Sequence, residues 1–187
     1  MKKFIFLVLL ISAFATTKAQ IPGFAIKVMG GVNSSGYVLP DAQDVSHSPG
    51  YAFSLDVSLG KKHYVQGGFS LRNYKSAYSL NGKNSNVKFN AFNAHLYYGW
   101  QFLDLAVVKT RVFTGPVMDF TGAPKSKDFS FSQENYNSQV FNFAFGAEAK
   151  IAFLLVSLQY EFGLSSMMSN ANVKNNIIVA KVGISIL

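Results

Sequence analysis

The sequence predicts an all-β protein: an eight-stranded antiparallel up-and-down transmembrane β-barrel, preceded by a cleaved signal peptide. Three observations carry that expectation. Past the N-terminal segment, apolar residues alternate with polar or small ones at a period of two, the pattern of strands with one apolar and one polar face. The connections between these segments are long and short in strict turn, as in a barrel whose tight turns all lie at one end. Only 14% of the 187 residues are charged while 15% are aromatic, against about 25% charged in an ordinary soluble domain.

The N-terminal segment reads as an export signal. Lys2 and Lys3 precede a run from Phe4 to Ala15 broken only by Ser12, and Thr17-Lys18-Ala19 places small residues at −3 and −1 of a cleavage point before Gln20. A positive start, an apolar middle too short to span a bilayer and a small-residue junction are the marks of a secretory signal peptide. The division is therefore 1–19 signal peptide and 20–187 barrel domain. No later stretch approaches the ~18 consecutive apolar residues of a transmembrane helix.

The strands follow in order. Residues 24–32 set Phe24, Ile26 and Val28 against Ala25, Lys27 and Met29. Residues 51–59 set Tyr51, Phe53, Leu55, Val57 and Leu59 against Ala52, Ser54, Asp56 and Ser58. Residues 63–78 oppose Val65, Phe69 and Leu71 to Gln66, Ser70 and Arg72, and residues 89–102 oppose Phe92, Ala94, Leu96, Tyr98, Trp100 and Phe102 to Asn93, His95, Tyr97 and Gln101. In residues 106–120, Ala106, Val108, Val112, Met118 and Phe120 face away from Lys109, Arg111, Gly115 and Asp119. The last three segments oppose Phe141, Phe143, Phe145 and Ala147 to Glu148 and its small neighbours. They then oppose Leu154 to Phe162 to Ser157, Gln159 and Glu161, and Ala180 to Ile186 to Lys181 and Ser185. Gly60-Lys61-Lys62, Leu103-Asp104-Leu105 and residues 149–152 are the tight connections. Residues 33–50, 80–88, 121–139 and 166–176 are longer and rich in Asn, Ser, Gly, Lys and Asp, which reads as loop chemistry.

A soluble sandwich would alternate too, with its apolar face inward. Two features favour the inverted arrangement. The polar face carries Ser, Gly, Asn, Gln and Ala with isolated charges, suited to the crowded inside of a narrow barrel. Aromatic residues on the apolar face lie near strand ends: Tyr51, Tyr98, Trp100, Phe102, Phe120, Tyr160 and Phe162. Together they would form the aromatic girdle of a membrane barrel.

The chain resembles the PorT-like small outer-membrane β-barrel family of Bacteroidetes. The residues that carry the likeness are the Ala19-Gln20 junction, the opening Phe24-Ala-Ile-Lys-Val-Met-Gly-Gly-Val-Asn33, and the pair Phe145-Gly-Ala-Glu148 and Leu158-Gln-Tyr-Glu-Phe-Gly-Leu164. The chain departs from the pattern at its end, Ile184-Ser-Ile-Leu187, where such barrels carry an aromatic residue read by the barrel-assembly machinery. The resemblance implies a bacterial outer-membrane location and a barrel fold, and no shared activity.

With the polar face inward, the lumen collects Lys27, Asp56, Arg72, His95, Arg111, Asp119, Glu148, Glu161 and Lys181. Buried charges persist only when paired and hydrogen-bonded, so a structural charge network plugging the lumen is expected, with Glu148 or Glu161 meeting Arg111 or Lys181 on adjacent strands. A narrow small-solute channel lined by the same residues is the alternative. His95 is the inward histidine that a lipid-modifying outer-membrane enzyme would need, but a Ser-His-acid site is defined by geometry, not order. Asp41, Asp44 and His47 share a loop and are read as solvated. The expected protein is not an enzyme and has no catalytic residues, cofactor or metal site; a soluble secreted β-protein is the remaining alternative. No cysteine is present, which removes disulfides and thiol chemistry.

The net charge of +8 is spread, without the clustered basic face that a nucleic-acid site needs. Outer-membrane lipid and lipopolysaccharide are the expected partners, with lysines near the outer rim, Lys125 and Lys127 among them, meeting anionic headgroups. A protein partner would be met by loops 33–50 and 121–139, the latter holding Phe129, Phe131 and Tyr136.

Overall fold

Strand alternation, carried through the chain, closes on itself. The computed structural model describes residues 23–38, 45–80, 83–105, 107–122, 125–126, 137–167 and 174–186. The signal-peptide reading of residues 1–19 lies outside them, as do Asp41, Asp44, Phe129, Phe131 and Tyr136. The elements are β1 (Ala25–Val38), β2 (Val45–Leu59), β3 (His63–Leu80), β4 (Lys83–Asp104), β5 (Val108–Thr121), β6 (Lys125–Ser126), β7 (Gln139–Ile151), β8 (Leu154–Gly163) and β9 (Lys174–Ile186).

Every strand but β6 pairs antiparallel with two neighbours. The ring runs β1-β2-β3-β4-β5-β7-β8-β9 and closes where Ile26 to Val38 of β1 pair with Ile186 to Lys174 of β9. Closure leaves the eight-stranded wall without an edge. The two-residue β6 only extends the ladder outward along β4, at Val87 and Lys88. No helix among the described residues is long and apolar enough to cross a membrane.

The connections fall at two ends. At the turn end lie Gly60-Lys61-Lys62, Leu105 and Val107, and Ala152-Phe153, together with the start of β1 and the finish of β9. Gly60 takes φ +115°, a conformation that L side chains rarely adopt, and so permits the first of these turns. A bulge between Gln101 and Leu103 turns Phe102 and Leu103 both outward, because an extra residue on one strand breaks the alternation.

The strands run further at the loop end than the alternation shows. Residues 33–38, 45–50 and 174–176 belong to strands, and β3 and β4 pair without a break up to Leu80 and Lys83, so most of 80–88 is ladder and not loop. The apolar half of the alternation disappears there while backbone pairing continues.

The outer face is an apolar belt. Phe53, Leu55, Phe69, Leu71, Leu96, Phe145, Leu158 and Val182 are all exposed, which a soluble protein would not tolerate as one continuous surface. Along β4 the belt runs from Phe92 to Phe102 between Asn90 and Asp104. At a rise of ~3.3 Å per residue and a tilt of ~40°, that spans about 25 Å, the height of a lipid-facing band. Of the aromatic residues, Tyr51, Phe120 and Phe162 lie toward the loop end and Tyr160 two residues deeper, while Tyr98, Trp100 and Phe102 lie toward the turn end. His63 Nδ1 and the Tyr98 hydroxyl are 2.7 Å apart on this outer face.

Candidate functional site: the barrel interior

With the apolar side chains turned to lipid, the inward register of each strand delivers its polar residue to the axis. The inner face carries Lys27, Asp56, Arg72, His95, Asp119, Glu148, Glu161 and Lys181, all buried, and Arg111, which is partly exposed toward the turn end. Their pairing follows the cross-section of the barrel more than the neighbour relations of the strands.

Nearest the turn end, Lys27 of β1 donates to both oxygens of Glu148 on β7, at 2.8 Å each, and to Gln66 Oε1 on β3 at 2.6 Å. Arg111 donates from Nε to Gln101 Oε1 at 2.9 Å, and its Nη1 stands 3.8 Å from Glu148. The Tyr64 ring lies against both cations, with Lys27 Nζ 5.5 Å and the Arg111 guanidinium carbon 4.9 Å from its centroid.

In the middle, Asp56 faces His95 Nε2 at 2.7 Å and accepts from Gln66 Nε2 at 3.3 Å. His95 Nδ1 lies 2.9 Å from Asn93 Oδ1, and the ring stacks on Tyr97 with centroids 4.6 Å apart. Lys181 Nζ donates to Ser54 Oγ at 3.4 Å.

Toward the loop end, Arg72 of β3 grips Glu161 of β8 with two parallel bonds of 2.8 and 2.7 Å. Such a fork is the strongest and most directional ion pair a protein makes. Asp119 accepts from Asn93 and Asn142 at 2.8 Å each and from the Tyr74 hydroxyl at 3.4 Å. Gln159 donates to Glu161 and to the Tyr97 hydroxyl.

The expected pairings of Glu148 or Glu161 with Arg111 or Lys181 on adjacent strands are therefore replaced, save for the long Arg111–Glu148 approach. The short pairs Lys27–Glu148 and Arg72–Glu161 tie opposite walls. An eight-stranded lumen is only wide enough to be filled by its own side chains, so long cations reach across the axis.

The inner face that the alternation predicts includes Tyr97 and the small Ala144, but not Tyr64, Phe113 or Val117. Tyr64, Tyr97, Phe113, Val117 and Ala144 form a buried apolar cluster inside the lumen, against β3, β4, β5 and β7. Its signal was available: inward Gly99 and Gly146 lie where any Cβ would strike the Tyr64 and Phe113 rings. Small residues on one strand thus make room for aromatic ones on the next.

Chemically, the interior holds charges in place more than it presents them. Both ring nitrogens of His95 are engaged, by Asp56 and by Asn93. Ser54 Oγ approaches Asp56 and Ser70 Oγ donates to Asn93, so neither hydroxyl meets the imidazole as a nucleophile would need to. No group of three His, Asp or Glu residues among the described residues could hold a metal ion.

A closed antiparallel wall, an apolar belt outside and a polar interior define a membrane-spanning β-barrel of the outer-membrane type. Solved structures share that architecture. Ail, the attachment invasion locus protein of Yersinia pestis, matches with a TM-score of 0.50 and 13% identity, over 87% of this chain and 98% of that one. Neisserial surface protein A (NspA) matches with a TM-score of 0.52 and 9% identity, over 86% and 96%. The outer membrane enzyme PagL matches with a TM-score of 0.51 and 12% identity, over 86% and 99%. At these identities the likeness is one of fold. No protein-family model matches the sequence, and no curated protein matches it either.

Proposed function

We propose that the protein is a non-enzymatic barrel of the bacterial outer membrane, of the PorT-like kind found in Bacteroidetes, exported through residues 1–19 and inserted by the barrel-assembly machinery. Its lumen is plugged, and it serves envelope structure or surface interaction through its loop end, where lipopolysaccharide is the partner nearest at hand. The observation that supports this reading best is the pair of cross-lumen ties, Lys27–Glu148 and Arg72–Glu161, whose side chains are at most 1% exposed. A solute on the axis would have to break both. The engagement of His95 by Asp56 and Asn93 speaks against a lipid-modifying centre in the lumen.

Planar-bilayer recording of the refolded protein tests the plug. The expected result is no current above that of the bare membrane, and discrete conductance steps would overturn it in favour of a narrow channel. The lipopolysaccharide reading predicts weaker binding of the intact protein to lipopolysaccharide vesicles after Lys125→Ser with Lys127→Ser. Unchanged binding would remove those two residues from it.

A further inference from the structure

The charges of the lumen are not balanced evenly along its length. Charged side chains on the inner face of the turn end, among the described residues, are Lys27, Lys109, Arg111 and Lys150 against Asp104 and Glu148. Lys27 and Glu148 hold each other. Lys109 and Asp104 meet at 3.0 Å in a half-open pair, 39% and 57% exposed, which water screens. Arg111 reaches Glu148 only at 3.8 Å, and Lys150 Nζ donates to the neutral Ser185 Oγ at 3.1 Å.

The backbone register sharpens the imbalance. Lys109 and Lys150 stand directly opposite each other on the β5–β7 ladder, an arrangement that destabilises a sheet when nothing separates the charges. Arg111 adds a third positive charge acting on Lys150. Behind Arg111, the Tyr64 hydroxyl is buried without a hydrogen-bond partner. Buried polar atoms of that kind call for an explanation, an unseen water or ion among them.

We propose that this vestibule binds a phosphoryl dianion, supplied as free phosphate from the turn-end compartment or as the phosphomonoester headgroup of a lipid in the adjoining leaflet. Two excess positive charges match a dianion. Arg111, anchored by Gln101 and Tyr64, offers a fixed guanidinium fork suited to phosphate oxygens. Lys109 and Lys150 supply point charges at the mouth, and a bound phosphoryl group would lie between them and remove their repulsion.

The test follows the temperature at which the refolded full barrel loses its compact form in unboiled SDS gels. One arm adds inorganic phosphate to protein in zwitterionic micelles, with sodium chloride holding ionic strength constant. The other compares zwitterionic vesicles with and without phosphatidic acid. Binding gives a saturable rise of about 5 °C in at least one arm. Lys150→Gln abolishes the rise, and Lys61→Gln, which changes a lysine of the same end at the Gly60–Lys62 turn, leaves it. A rise with inorganic phosphate assigns the free anion, and a rise only with phosphatidic acid assigns the lipid headgroup. No saturable rise in either arm, or the same rise in Lys150→Gln, overturns the proposal. If Lys150→Gln does not refold, Lys109→Gln, at the half-open pair with Asp104, is read by the same criteria.

Discussion

Replacing Arg72 by Met should be among the most damaging single changes to the barrel. The guanidinium is the cation of the upper lumen: it holds both oxygens of Glu161, touches Ser70 and Tyr74, and lies within the field of Asp119. Methionine fills much of its volume and leaves Glu161 with Gln159 alone. Glu161 and Asp119 would then lie near each other with no cation bonded to either, Lys181 acting on Glu161 only through its field. Stranding one partner of a buried pair costs about 3–5 kcal/mol, or two to almost four powers of ten in the folding equilibrium. Glu161→Gln should cost less, because Arg72 keeps Tyr74, Ser70 and the nearby Asp119 while the new amide still fills the site.

The assay is urea-driven refolding into lipid vesicles, followed by the fluorescence of Trp100, the single tryptophan. Trp100 lies on the outer face near the turn end, where insertion moves it from water to lipid, and far in sequence from either mutation. The expected order is wild type, then Glu161→Gln, then Arg72→Met. A loss below ~1 kcal/mol for Arg72→Met, within the range of an exposed ion pair, would refute the claim that this network is dry and that the change strands a buried charge. So would a reversed order of the two variants.

Other consequences are simpler to check. The protein should migrate faster unboiled than boiled in SDS gels, as closed barrels do, and identical lanes would count against closure. Leu158→Lys, at the middle of the outward run of β8, should cost about 2–4 kcal/mol by the same refolding assay, and Phe153→Lys, in a turn at the membrane edge, about 0–1 kcal/mol. Equal costs would misplace the belt. Gly99→Ala, whose methyl group would strike the Tyr64 ring, should lose about 1–3 kcal/mol and recover much of it when combined with Tyr64→Leu.

What could be read from the chain was the face of each residue, and what could not was its partner. A period of two assigns Leu158 to lipid and Glu161 to the lumen wherever the strands lie, because a pleated strand alternates regardless of its neighbours. The pairing of Lys27 with Glu148 depends on strand number, stagger and the width that results from them, none of which is a local property. Tyr64 and Phe113 were overlooked for a different reason. An inner face judged by its charges looks polar throughout, whereas in a narrow tube an aromatic ring opposite glycine packs as well as an ion pair. The extension of β3 and β4 beyond the belt was hidden because the alternate positions that are apolar in the belt become Asn73, Lys75 and Ser79 on β3 and Asn84, Asn86 and Lys88 on β4.

The ties across the lumen also bear on how the barrel chooses its register. A slip of one residue would turn a strand inside out and is excluded by the apolar belt. A slip of two keeps every face correct, and on β8 it would exchange Glu161 for Gln159 or Gly163 with no hydrophobic penalty. Lys27–Glu148 and Arg72–Glu161 oppose that slip, because each needs its residue at one height on the axis. Buried pairs of this kind can often be replaced by apolar side chains with little loss of stability, so their contribution here is to specificity. The quadruple variant Lys27→Met, Glu148→Leu, Arg72→Met, Glu161→Leu should still fold and keep its heat-dependent gel shift, yet show doubled amide resonances along β1 and β8 from coexisting registers. A single set of resonances in the wild-type register would refute this role and leave the network as filling alone.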